Sequence, residues 1–121
     1  MEGATLGLGY GLRRFAELGL SPSEIRLTGG GSKSAIWRQI SADVFGVPVV
    51  ALATAEGAGL GGAIQAAHAD GQGSYETLST RLVALDESTR CTPAVDQVGL
   101  YREKLDRQVE LTMLLRDKGW L

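Results

Sequence analysis

IRLTGGGSKSAIW, residues 25–37, runs an alternating stretch into three glycines and follows them with two serines and a tryptophan. From Glu24 to Thr28 polar and apolar residues alternate, the period of a short strand that ends at Gly29. Ser34 stands where a helix N-cap belongs, ahead of Ile36, Trp37, Ile40, Val44 and Phe45, which share one helical face up to a C-cap at Gly46. Glycines between a strand's end and a helix's start have a defined use. With no Cβ in the way, their main-chain N–H groups can lie against a ligand. The helix behind them adds unpaired donors and a partial positive charge, which suit the phosphates or ribose hydroxyls of a nucleotide. Gly29, Gly30, Gly31, Ser32 and Ser34 are therefore the candidate nucleotide-binding residues. The same glycines also suit a tight strand-to-helix turn that binds nothing.

Outward from that loop, the spacing predicts an α/β domain. A first helix over Gly3 to Leu18 stops at Gly19, and Ser21 and Pro22 turn the chain into the strand. Gly3, Gly7 and Gly11 fall four apart on one ridge, and a glycine costs about 1 kcal/mol against alanine inside a helix, so this ridge is expected to face protein. Pro48 opens a second strand, Val49 to Leu52, whose continuous apolar character suits burial on both faces. A Gly/Ala helix from Gly59 to Ala69 carries a second small ridge, Ala58, Gly62 and Ala66, able to pack closely on the first. A short helix from Ser74 to Leu82 follows, then a loop of weak β character from Asp86 to Thr92. Thr92 and Pro93 open a long last helix with Val98, Tyr101, Leu105, Val109 and Met113 recurring every three or four residues.

The totals exclude several classes. At 121 residues the chain is one domain or a piece of a larger one, and the N-terminal pattern, already helical without an N-cap, points to a piece. It is no signal peptide, and no uncharged stretch such as Val44 to Ala55 is of a length and composition to span a bilayer, so no membrane partner is expected. A net charge of -2 without a Lys/Arg block offers nothing to nucleic acid. The single Cys91 excludes an internal disulfide framework and suits a reducing cytoplasm.

The run from Glu24 to Ala67, with its glycine triplet, its Trp37-Arg38-Gln39 helix ending in Gly46-Val47-Pro48, and its Gly/Ala helix, resembles the carboxy-terminal domain of the FGGY family of carbohydrate kinases and looks most like the family's xylulose kinases. The resemblance covers nearly the whole chain. It implies that residues 1–121 are the ATP-binding domain, one lobe of an actin-like, ribonuclease-H-type ATPase fold with a mixed sheet flanked by helices. It further implies that intact relatives move the γ-phosphate of Mg-ATP to a sugar, D-xylulose or a related sugar or polyol, so that ATP and Mg2+ are the implied cofactors. Gly29, Gly30 and Gly31 take the family's adenosine-loop positions, and Ser34 stands where some members carry an Asn that reaches the nucleotide. The phosphate loop and the general base of such kinases belong to an amino-terminal domain, which has no counterpart here. No catalytic residue and no metal ligand is therefore assigned, this chain is expected to be inactive alone, and ridges that would face the other lobe invite a homodimer.

Two other readings stay in view. GAGLGG, Gly57 to Gly62, has the outline of a dinucleotide fingerprint, with a possible strand at Leu82 to Leu85 and Asp86 beyond. Against an NAD site, Thr54, Ala55 and Glu56 intervene where the turn must be immediate. Alternatively the glycine ridges make the chain a docking or structural module with no nucleotide. Glu56 reads as a carboxylate near a helix N-terminus, or else one facing the nucleotide or a metal. His68 receives no role, and Trp37 and Trp120 are weighed as purine stackers, with core packing the better reading for Trp37. Arg13, Arg14, Arg38, Arg102 and Arg107 are scattered and read as solvated surface.

Overall fold

A computed structural model describes residues 1–121. In chain order the elements are α1 (Glu2–Glu17), β1 (Ile25–Leu27), a 3-10 turn (Gly30–Lys33), α2 (Ala35–Phe45), β2 (Val49–Leu52), α3 (Gly57–Ala69), α4 (Tyr75–Leu82), β3 (Leu85–Cys91) and α5 (Val95–Asp117). The sheet has the order β1-β2-β3, with β1 and β2 parallel and β3 antiparallel to β2. β2 is central, and Val49, Val50 and Ala51 are buried in it, as its apolar run requires. Helix α2 packs on β2 and β3, and α1 and α5 pack on α2 and on each other. Leu6 of α1 with Tyr101 and Leu105 of α5 form the buried centre of that helical layer, with Tyr10, Ile40, Val44 and Val109 around it. α3 packs on α4.

Helix α2 is bounded as its sequence demands. The Ser34 hydroxyl accepts from the Trp37 N–H at 3.3 Å, and Gly46, at φ 68°, turns left-handed to donate to the Ala42 carbonyl at 2.8 Å. Inside the same helix Asp43 is buried and carries two donors on Oδ1, the Gln39 amide at 2.9 Å and the Ala94 main-chain N–H at 2.8 Å. That second bond holds the start of α5, which has no side-chain cap of its own.

The segment expected as a loop from Asp86 to Thr92 is strand β3. Its polar sequence hides the strand because the pairing is bulged. β3 runs from Asp86 to Cys91 while β2 advances only from Ala51 to Val49. Side chains replace ladder bonds inside the bulge: the Ala51 N–H donates to Thr89 Oγ1 at 2.9 Å, and that hydroxyl donates to the Asp86 carbonyl at 2.6 Å. Arg90, from the same bulge, reaches Glu24 at 2.7 Å and Glu87 at 2.6 Å, and its hydrogen bonds hold both carboxyls below the usual carboxylate range.

The ridges differ from expectation. Gly3, Gly7 and Gly11 are exposed, with open space where a Cβ would stand, and so are Ala58, Gly62 and Ala66. α1 faces α2 and α5 instead of α3, because its apolar residues Leu6 and Tyr10 lie on another side. The glycine that does permit close approach is Gly9, buried with Val44 Cγ1 2.9 Å from the position of an added Cβ. Ile36, assigned to the buried face of α2, is 67% exposed.

Two outcomes follow for solution measurements. Gly9→Ala overpacks the α1–α2 contact against a stiff valine and should cost about 1–3 kcal/mol in denaturant unfolding. Gly7→Ala meets nothing and should add about 0.5–1 kcal/mol. The order reverses if the ridge, and not Gly9, is the packed face. The second outcome concerns Tyr101, whose hydroxyl donates to Glu2 Oε1 at 2.7 Å and ties α5 to α1. That bond, then burial, push the phenol up to about 12. A folded value above the ordinary one of about 10 means the contribution is complete below that pH and is lost as pH rises through about 12. The melting temperature of the parent chain should fall more steeply across that interval than that of Tyr101→Phe.

Candidate functional site

The carboxyl ends of the parallel pair β1 and β2 open onto the glycine loop and the start of α3. Crevices at such strand ends are where open α/β sheets take ligands. Past β1, the Gly29 N–H donates to the Ala55 carbonyl at 3.0 Å and Thr28 Oγ1 to the same oxygen at 3.3 Å, which fastens the loop to the connector after β2. Gly57, the first residue of α3, lies so close that an added Cβ would come within 2.6 Å of Thr28 Oγ1. The glycine loop and the N-terminus of α3 are thus neighbours.

Each residue of the triplet is glycine for its own reason. Gly29 has φ 82° and ψ -176°, a backbone region that is essentially closed to side chains. Gly31 lies on the Trp37 indole, whose Cζ3 is 1.9 Å from where a Cβ would stand. Gly30 has neither constraint: its φ is not positive, it is exposed, and a Cβ there meets nothing within 4 Å. Of the serines, Ser32 is buried and its hydroxyl donates to the Gly29 carbonyl at 2.7 Å, while the Ser34 hydroxyl is engaged in capping α2. The five sequence-predicted residues are therefore together, with Gly30 presenting bare main chain and the two serines bracing the turn behind it.

Two further residues shape this loop, one read in the sequence as core packing and one not recognised there. Trp37 is half-buried beneath Gly31, with Nε1 donating to Thr5 Oγ1 of α1 at 2.8 Å, so its ring is floor to the loop and is not free to stack on a base. Arg38, read as scattered surface charge, is half-buried and donates to the Ser32 carbonyl at 2.8 Å and the Thr89 carbonyl at 3.1 Å. Glu56 is exposed and makes no side-chain bond to the α3 terminus. His68 is exposed, with Nδ1 2.8 Å from the Gly73 carbonyl and its ring 4.0 Å from that of Tyr75. Trp120 is exposed. No group of three or more His, Cys, Asp or Glu side chains is arranged to hold a metal ion.

Gly57 to Gly62 does not sit in a dinucleotide fold. The chain returns from α3 through α4 into β3, which runs antiparallel to β2, whereas the fingerprint needs a parallel β-α-β crossover. Leu82, taken as the start of a strand in that reading, closes α4, and β3 begins at Leu85. A cavity of about 460 Å³ lies at the other end of α2, between Leu12, Phe45, Val98 and the Arg13–Asp106 ion pair. It is a groove among the helices and touches none of the loop.

Residues 1–69 match the FGGY family of carbohydrate kinases, C-terminal domain. A xylulose kinase of Haemophilus influenzae is 48% identical over 107 residues, which cover 88% of this chain and 22% of that protein. An autoinducer-2 kinase of Escherichia coli is 34% identical over 110 residues, 88% of this chain and 20% of that one. Among solved structures, a xylulose kinase from Rhodospirillum rubrum superposes with a TM-score of 0.74 at 24% identity, over 96% of this chain and 23% of that one. A gluconate kinase from Lactobacillus acidophilus gives 0.69 at 24% identity, over 79% and 19%. At these identities the structural likeness is one of fold, the mixed sheet and flanking helices of one lobe of an actin-like ATPase. The chain spans about a fifth of the length of the curated relatives it matches.

The packing beneath Gly31 gives a direct check. Gly31→Ala must push the Trp37 ring aside and should cost about 1–3 kcal/mol. In a Trp120→Phe background the Trp37 emission should shift to the red as the ring becomes wetter. An unchanged spectrum and midpoint would mean the indole does not underlie the loop.

Proposed function

Because the chain belongs to the FGGY family of carbohydrate kinases, we propose that it forms the nucleotide-binding half of an ATP-dependent sugar kinase, one that moves the γ-phosphate of Mg-ATP to a hydroxyl of D-xylulose or a related sugar or polyol. The observation that carries the reading is Gly30. It is the one position of the triplet where no turn geometry and no internal neighbour calls for glycine, and it is exposed, next to the Gly29 that bonds the connector ahead of α3. An adenosine laid on that main chain is what the missing side chain makes room for. Gly29 and Gly31 hold the loop in shape for the same contact, and Ser32 and Ser34 brace it through the Gly29 carbonyl and the α2 cap.

This chain offers no cluster for Mg2+, which would travel with the ATP phosphates and meet its protein ligands on a second lobe. The general base toward the sugar belongs to that lobe as well. Phosphoryl transfer requires phosphates, metal and nucleophile held in line, so half a cleft has no means to position them. We place the reaction in the cytoplasm, where ATP is supplied and a lone thiol such as Cys91 stays reduced. No helix is long and apolar enough to cross a membrane.

A second reading, docking without nucleotide, draws on the open faces of Gly3, Gly7 and Gly11 and of Ala58, Gly62 and Ala66, surface that a second lobe or a second copy of this chain would cover. The two readings separate on the response to ATP. A nucleotide site raises the melting temperature in step with the logarithm of ATP concentration. Gly30→Val should leave the ligand-free melting temperature unchanged and weaken the ATP response about tenfold, a loss of about 1.4 kcal/mol. A coupled assay with D-xylulose and Mg-ATP should show no turnover by this chain alone. A flat ATP response, or a Gly30→Val variant that responds like the parent, favours docking.

A further inference from the structure

Arg38 is the one guanidinium of the chain that joins two main-chain carbonyls of different elements and no carboxylate. Nη1 takes the Ser32 carbonyl at 2.8 Å and Nε the Thr89 carbonyl at 3.1 Å. The ion pairs of the molecule involve Arg13, Arg14, Arg26, Arg90, Lys104 and Arg116 and pass it by. A half-buried cation without a counter-ion is tolerated only where its donors are well used. The guanidinium serves because its N–H groups are fixed in one plane and can span two acceptors without further ordering.

What the bridge joins is specific. Ser32 is buried, and its N–H and hydroxyl both go to the Gly29 carbonyl, at 3.2 and 2.7 Å. The Gly29 N–H goes in turn to Ala55. A single path of hydrogen bonds therefore runs from the β3 bulge through Arg38 to Ser32, Gly29 and the connector after β2. We propose that Arg38 is a positioning residue for the nucleotide loop: it locks the Gly29–Lys33 turn against the bulge of β3, so that Gly30 presents its main chain in one conformation. This rests on the reading of that loop as the ATP site.

The test uses Arg38→Met, which keeps the stem and loses both donors, and Arg38→Lys, which keeps charge but not the planar fork. Amide hydrogen exchange is followed at Ser32 and Ser34, whose N–H groups close the turn, and at Gly46 and Leu105 as references for global opening; ATP affinity comes from the melting-temperature series. In the Met variant the two loop amides should exchange about tenfold faster, the references should not change, and ATP affinity should drop about tenfold, the loss of one to two charge-assisted bonds. The Lys variant should fall between, and it carries the test if the Met variant does not fold. Loop amides that keep parental rates, or that quicken only together with Leu105, overturn the proposal. So does a quickened loop with undiminished ATP affinity. A parent that shows no ATP response, with loop amides still quickened by the Met change, removes the nucleotide reading alone and leaves Arg38 as the clamp of the turn.

Discussion

The first turn of α2 is the constraint on which the remainder of the molecule depends. Successive helical residues point about 100° apart, so Trp37, Arg38 and Gln39 face three different parts of the fold. Trp37 donates to Thr5 of α1, Arg38 to Ser32 of the loop and Thr89 of β3, and Gln39 to Thr92 ahead of α5 and to the buried Asp43. One helical turn thus fixes a helix, a loop, a strand and the entrance to another helix. These are side-chain bonds to main chain or to partly buried groups, each of which contributes about 1 kcal/mol net and costs more when one partner is left alone. Displacing α2 would break all of them at once.

The glycine triplet has to be understood with that helix. A run of three glycines looks like one device, but Gly29 answers to a torsion, Gly31 to the indole of Trp37, and Gly30 to nothing inside the chain. Gly57 adds a fourth case, its place set by Thr28. A glycine whose freedom is unused internally is a different case from one the fold requires, and that distinction exists in the structure and not in the letters.

Much of the architecture was legible because it rests on local rules. The alternation before Gly29, the Ser34 cap, the Gly46 stop and the apolar run Val49–Leu52 each follow from short-range sterics and burial, and each element lies within two residues of its expected bounds. β3 was legible only as weak β character: LDESTRC lacks a strand's alternation because Thr89 substitutes a hydroxyl for a ladder group, and Asp86 and Arg90 bond within or beside the bulge. The ridges misled for a different reason. Spacing by four identifies residues on one face but not which face is covered, and the apolar Leu6 and Tyr10 decided that for α1. Arg38 is the same error in reverse, since a charge that bonds carbonyls leaves no acidic partner in the sequence to betray it.

The open ridges bear on how the two functional readings relate. A glycine inside an exposed helix costs about 1 kcal/mol against alanine, so Gly3, Gly7 and Gly11 together spend a noticeable part of the 5–15 kcal/mol typical of a whole domain. Nothing in the chain packs on them to offset it. Close approach of another surface would offset that cost, and the exposed small face of α3 begins at Ala58, one residue from the glycine that touches Thr28. A lobe laid along α3 would therefore meet this one beside Thr28 and the connector to which Gly29 bonds. On the proposed function, docking and nucleotide binding would be neighbouring uses of one edge: the small residues would admit the second wall of a crevice whose first wall is the main chain of the loop, with Arg38 and Trp37 behind it.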